Sequence, residues 1–279
     1  MSSTVSEIKV ASAEDAKRMP PPPKPPLAER PWMSIVAPLV TAAIIVLIWQ
    51  IASSFVSAVL IPGPAKVASD FMALFKAGTA QSALSISIRE LYIGLGIGLV
   101  AGIIFGMLIG RYAMAEGVLG PFINAANATP LNVLIPLLIV WVGISAKARI
   151  LFVVLITFFP VLLNTAGGLR NVSRGYVEVG KTMGLSERQL VRKVILPASV
   201  PYIFAGIRIG VALAVIGMIV GEMEVSNVGL GYLLNFFGEG FQTGKLLALV
   251  FLASLIGVFN VVVVRLIQRR FFKWTLVYR

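Results

Sequence analysis

The sequence contains no cysteine and no histidine. Without thiols there are no disulfides, thiolate metal sites or cysteine nucleophiles, and without imidazole the usual general base near neutral pH is missing. A hydrolase or a metal enzyme inside this chain is therefore not expected, and no cofactor is. Charge is also scarce, at 13% of 279 residues against 58% apolar, far outside the soluble norm. The composition is that of an integral membrane protein. Acidic residues are the scarcer sign, 12 against 24 basic, for a net charge of +12. The basic residues cluster in tails and loops beside apolar runs, which fits topology signals and anionic lipid headgroups. Membrane lipid is an expected partner and nucleic acid is not. No phosphate-binding GxxxxGK[ST] occurs, so nucleotide chemistry must reside on another chain.

Residues 1–31 form a polar leader containing PPPPKPP, too rich in proline for helix and expected to be an extended, disordered tail. It has no apolar core of its own and is not expected to be a secretory signal. Residues 32–279 read as a membrane domain. Six apolar spans are expected: Ile35 to Phe55, Ile88 to Gly110, a block from Val118 to Ile144, Ile150 to Gly168, Pro201 to Gly221 and Leu246 to Val264, each near the 20 residues a bilayer requires. Trp32 and Trp49 lie near the ends of the first, as interfacial aromatics should. Leu60 to Ser85 is expected to be a loop and short helix outside the lipid. The chain ends in a basic, aromatic stretch that suits an interfacial anchor.

Three features stand out within the spans. Gly94, Gly98, Gly102, Gly106 and Gly110 form an unbroken four-residue stripe, which lets another helix approach at backbone distance. The third block is broken by Pro121, Pro130 and Pro136 and holds Asn124, Asn127 and Asn132. Prolines and amides at membrane depth are expected where protein or a water-filled cavity satisfies the freed backbone, so this block is the best candidate for lining a path, with a kinked helix bonding its neighbours as the alternative. Arg208 lies two turns into the fifth span, where an intramembrane charge suggests either an anion contact or a structural pairing. The other span interiors are expected to lack charge, which counts against an ion-coupled secondary transporter. A membrane scaffold would leave the third block without a purpose.

Between the fourth and fifth spans lies a polar stretch, Gly175 to Pro197, reading GYVEVGKTMGLSERQLVRKVILP, within a hairpin at about 172–197. It reads as two short amphipathic helices with a forced corner. Tyr176, Val179, Gly180 and Met183 share one face, with Glu178 on the other. Gly184 ends the first helix, Ser186 and Gln189 form a capping box for the second, and Pro197 is expected to stop it. A charged, half-apolar hairpin between spans suits docking of a soluble partner. With six spans both termini share a face with this hairpin. Eighteen lysines and arginines fall on that face and six on the other, which assigns the hairpin and both termini to the cytoplasm. Lys147 and Arg149 run locally against the rule.

Glu178, Gly184 six residues on and the pair Leu196-Pro197 resemble the EAA loop of importer-type ABC transporter permeases, with Val179 and Gly180 in place of its two alanines. LIPGPAKVASDFMALF and GLGYLL (Gly229 to Leu234) resemble segments of permeases of the nitrate, sulfonate, taurine and bicarbonate import group. The resemblance runs from about Leu60 to the C-terminus. It implies an all-α, type I importer (MetI-like) fold in a bacterial inner membrane, assembled as a homodimer. It further implies two cytoplasmic ABC ATPase subunits docked on the hairpins, with Tyr176, Glu178, Val179, Gly180, Met183, Gly184, Leu196 and Pro197 carrying the contact. A periplasmic binding protein would deliver a small solute, expected to be an anion such as a sulfonate or nitrate, with a pyrimidine or flavin precursor as the alternative.

Overall fold

The computed structural model describes residues 33–272. The leader, Trp32 and the last seven residues lie outside the described residues. Helix is the only regular structure among those described. The chain divides after Ala52, and the first unit holds most of α1 (Met33–Phe55), an apolar rod of which no residue in the window Val36–Phe55 is buried.

The second unit opens with α2 (Pro64–Lys76), where Pro64 occupies the first turn and Gly63 precedes it in extended backbone, the placement its missing N–H allows. Lys66 Nζ donates to Asp70 Oδ1 at 2.6 Å. After Gly78, at φ 76°, α3 runs from Thr79 to Arg111. The second span is therefore longer than the apolar run suggests. The stretch Thr79 to Ser85, expected to belong to the loop and short helix before the span, is the first two turns of α3, with Ala80 and Ala83 buried, and tertiary burial overrides local polarity.

The core of the unit is α3, α6 (Ala146–Arg170) and α8 (Glu187–Val225). The glycine stripe of α3 finds its neighbour in the same chain. A Cβ on Gly94, Gly98, Gly102 or Gly106 would stand 2.6–2.8 Å from the Cβ of Val153, Thr157, Val161 or Thr165, and Gly110 abuts the Ala166 backbone. Each rung pairs residues at the same sequence offset, so α3 and α6 run parallel and in register, face to face. An adjoining side of α6 receives a second set of glycines: Gly206 meets Asn164, Gly210 meets Val161 and Thr157, and Gly217 meets Ile156, while Gly168 of α6 receives Tyr202. Thus α6 is clamped between two helices whose small residues admit it at backbone distance, the packing that stands in for a hydrophobic drive in lipid.

Two further elements depart from expectation. The proline-rich third block is not one kinked span but two helices, α4 (Ala113–Ala128) and α5 (Ile135–Val142), joined by a short 3-10 turn at Leu131–Leu134 and set at 92° to each other. Thr129 is forced into extended backbone (ψ 129°) by the ring of Pro130, as residues before proline are. Pro197 does not stop its helix: α8 continues through a π turn at Val191–Ile195, where the Leu196 N–H reaches back five residues to the Val191 carbonyl. Such a wider turn absorbs the missing donor of a proline with little disturbance. Among the described residues five helices are long and apolar enough to cross a membrane, or six if the bent α4–α5 pair counts as one broken span. The chain returns through α9 (Leu230–Glu239) and α10 (Thr243–Phe271).

Candidate functional site

The hairpin begins with α7 (Arg174–Thr182). Its C-terminus is closed as the sequence requires: Gly184 at φ 75° donates to the Lys181 carbonyl at 2.9 Å and Leu185 to the Gly180 carbonyl at 3.1 Å, the paired bonds of a Schellman motif. Ser186 then starts α8 with a complete capping box, its N–H donating to Gln189 Oε1 at 2.9 Å and its Oγ accepting from the Gln189 N–H at 3.4 Å. Nothing lies within 4 Å of a Cβ built on Gly184, so its requirement is conformational alone. Gly184→Val is expected to cost about 1–2 kcal/mol of hairpin stability while Gly184→Asn, which tolerates the left-handed region, is expected to cost less. Hydrogen exchange of the 174–190 amides would read the difference, and equal protection in both variants would contradict it.

The face of α7 divides more sharply than its helical wheel suggests. Tyr176, Val179 and Met183 are 56%, 58% and 74% exposed, an apolar stripe open to solvent. Gly180, grouped with them by spacing, is buried, because a Cβ there would stand 2.6 Å from Leu190 Cδ1. It lies at the edge of the arc where the second helix closes on the first. Glu178 is exposed beside a cleft lined by Arg170, Arg174 and Lys181. Leu196 and Pro197 are half-buried within α8 and are not part of the exposed stripe.

Two ion pairs that spacing did not indicate tie this end to the core. Arg111, the last residue of α3, donates to Glu187 at the start of α8 at 2.5 Å, and Arg170 at the end of α6 pairs with Glu116 in the first turn of α4. Each joins residues more than fifty positions apart, and only the fold reveals them.

The expected path residues separate. Asn127 and Asn132 line a cavity of about 410 Å³ whose other walls are Phe152, Ile156, Phe159 and Pro160 of α6 and Leu213, Ile216 and Val220 of α8. Thr129 adds a hydroxyl. The walls are apolar, with two amides and one hydroxyl able to hydrogen-bond a polar solute. Asn124 is exposed and off this cavity, and Arg208 points elsewhere, its Nη1 donating to Gln268 Oε1 of α10 at 3.3 Å. Arg208 is thus paired between helices, the structural alternative. Nor are the spans otherwise free of charge: Glu90, Arg149 and Glu222 are all buried. Arg149 Nε and Nη2 donate to the two carboxylate oxygens of Glu90 at 2.7 and 2.5 Å, one rung below Gly94 on the α3–α6 ladder. Arg149 therefore belongs to a buried pair rather than to a loop, which removes its conflict with the distribution of positive charge.

Comparison with known proteins supplies the context for these features. The chain is 36% identical over 249 residues to the putative aliphatic sulfonates transport permease protein SsuC of Escherichia coli, covering 88% of this chain and 95% of that one. It is 33% identical over 238 residues to its counterpart of the same name in Bacillus subtilis, covering 85% and 86%. A solved amino acid ABC transporter shares the fold with a TM-score of 0.59 at 16% identity, covering 72% of this chain and 98% of that one. The family model described as the binding-protein-dependent transport system inner membrane component matches residues 98–274, from the glycine stripe through the hairpin to the last helix. The chain belongs to this family and is a multi-pass permease subunit of an ABC importer.

Proposed function

We propose that this chain forms, with a second copy of itself, the membrane path of an importer for small organic anions of the sulfonate class, driven by a separate cytoplasmic ATPase and supplied by a periplasmic binding protein. The observation that carries the coupling half of this reading is the exposed stripe of Tyr176, Val179 and Met183 on a hairpin with both ends of its corner capped. A membrane protein gains nothing from an apolar stripe on a basic, water-facing hairpin unless another protein covers it. The excess of lysine and arginine on this side supports a cytoplasmic hairpin and cytoplasmic termini.

Closure of two ATPase subunits on ATP would draw the paired hairpins together. Because α8 is continuous from Glu187 to Val225, a push on its first turn is transmitted along the whole helix, past the cavity wall at Leu213, Ile216 and Val220. The sulfonate class rests on the named relatives. The chemistry of the cavity fits it, since amides and a hydroxyl can hydrogen-bond a sulfonate without trapping its charge. The test is uptake of radiolabelled alkanesulfonate into proteoliposomes containing permease, ATPase and binding protein. Uptake that requires ATP and all three proteins is expected. Uptake driven by a proton or sodium gradient without the ATPase would contradict the reading.

A further inference from the structure

The stretch GLGYLL is unexplained by hairpin or cavity, and its surroundings show what its glycines are for. Gly229 and Gly231 flank the start of α9, and a Cβ on Gly229 (φ 97°) would stand 2.5 Å from the carboxyl carbon of Glu222, while one on Gly231 would stand 2.6 Å from Glu222 Cβ. The glycines therefore exist to let a fully buried carboxylate of α8 reach the first turn of α9. There the Gly231 N–H donates to Glu222 Oε2 at 2.8 Å. The Leu230 N–H donates to Ser87 Oγ at 2.9 Å, and that hydroxyl in turn donates to Glu222 Oε2 at 2.9 Å. Two amide donors that a helix leaves unsatisfied at its start are thus met by side chains from two other helices. One turn along α3 from Ser87, Glu90 holds Arg149 of α6. The cluster lies just beyond the cavity, since Phe152 and Val220 of its wall are three and two residues from Arg149 and Glu222.

We propose that Glu222 and Ser87 are positioning residues that lock α9 to the α3–α6–α8 core, so that this helix follows the core rigidly at the end of the cavity away from the hairpin. The carboxylate-to-amide bond and the Ser87 hydroxyl tie the start of α9 to α8 and α3, and the buried Glu90–Arg149 pair ties α3 in turn to α6. The inference rests on the permease reading, and the two are separable: that reading fails if the native complex shows no ATP-driven uptake, whereas the lock is read from a distance.

The experiment uses the full transporter in proteoliposomes. Because the chain has no cysteine, spin labels on Phe236→Cys of α9 and Ser85→Cys of α3, both exposed, report one distance within a chain by pulsed electron resonance when the labelled permease is diluted with excess unlabelled chain, so that a transporter with two copies carries the pair on only one of them. A single narrow distance is expected, unshifted between the nucleotide-free and ATP-trapped states. It should broaden in Glu222→Ala, in Ser87→Ala and in Gly231→Ala, and return to one narrow distance in Glu222→Gln, which keeps an acceptor oxygen. Alongside, solute taken up per ATP hydrolysed should fall several-fold in the alanine variants and recover in Glu222→Gln. A distance that stays narrow in both Glu222→Ala and Ser87→Ala would overturn the proposal. So would a native distance that shifts on ATP trapping, or uptake and ATP hydrolysis falling in step.

Discussion

Arg149→Met is expected to lower the stability of the detergent-solubilised protein by about 3–5 kcal/mol, the usual consequence of leaving a buried charge without its partner. Glu90 has no alternative: it is buried, and both its carboxylate oxygens accept from Arg149. The double variant Glu90→Gln, Arg149→Met is expected to recover most of the loss, because removing both charges removes the desolvation penalty as well as the attraction. Thermal unfolding of the two single variants and the double variant closes the cycle. A single-variant loss below about 1 kcal/mol, the range of exposed pairs, would mean that water reaches the site and that the pair does not bind α3 to α6.

The second large effect concerns the seam between the same helices. Gly106→Ala adds one methyl group, yet that carbon would stand 2.6 Å from Thr165 Cβ and 2.7 Å from the Leu162 carbonyl. Neither atom can rotate away, so the helices must separate, at a cost of about 1–3 kcal/mol or more by analogy with overpacked cores. The control lies on the same helix. A Cβ on Gly96 meets nothing within 4 Å, so Gly96→Ala is expected to be neutral or to gain up to about 1 kcal/mol from helix propensity. Melting temperatures that move in opposite directions would support the close seam. Equal responses would show that glycine acts here only through propensity.

The parts of this molecule that the sequence made legible are those decided locally. The Ser186–Gln189 box and the turn at Gly184 depend on residues within a few positions of one another and formed as expected. The need for a close neighbour along Gly94 to Gly110 was equally plain, because five glycines at one spacing have no other use in a helix. Which helix supplied that neighbour was not, since a stripe specifies a distance and not a partner. The same limit hid Glu90–Arg149 and Ser87–Glu222, whose members are 59 and 135 residues apart. Helical spacing puts Gly180 with the exposed stripe because a helical wheel holds no trace of the second helix folding back on its edge. Proline forbids the regular α-helical bond, so Pro197 reads as a stop, but the wider π turn offers a bond that does not need it. Arg208 has two possible roles in the sequence because Gln268, which accepts from it, lies sixty residues on.

If an ATPase subunit drives this permease through the apolar stripe on α7, a photo-crosslink placed on that stripe captures it. Benzoylphenylalanine in place of Met183, the most exposed residue of the stripe, should on illumination of native membranes join the chain to the ATPase subunit, while the same probe in place of Leu60, exposed beside the start of α10 and away from the hairpin, should not. Labelling of a cysteine at position 183 by an impermeant reagent from outside the cell, or absence of an ATPase adduct from Met183 in a complex that still transports, would contradict the account.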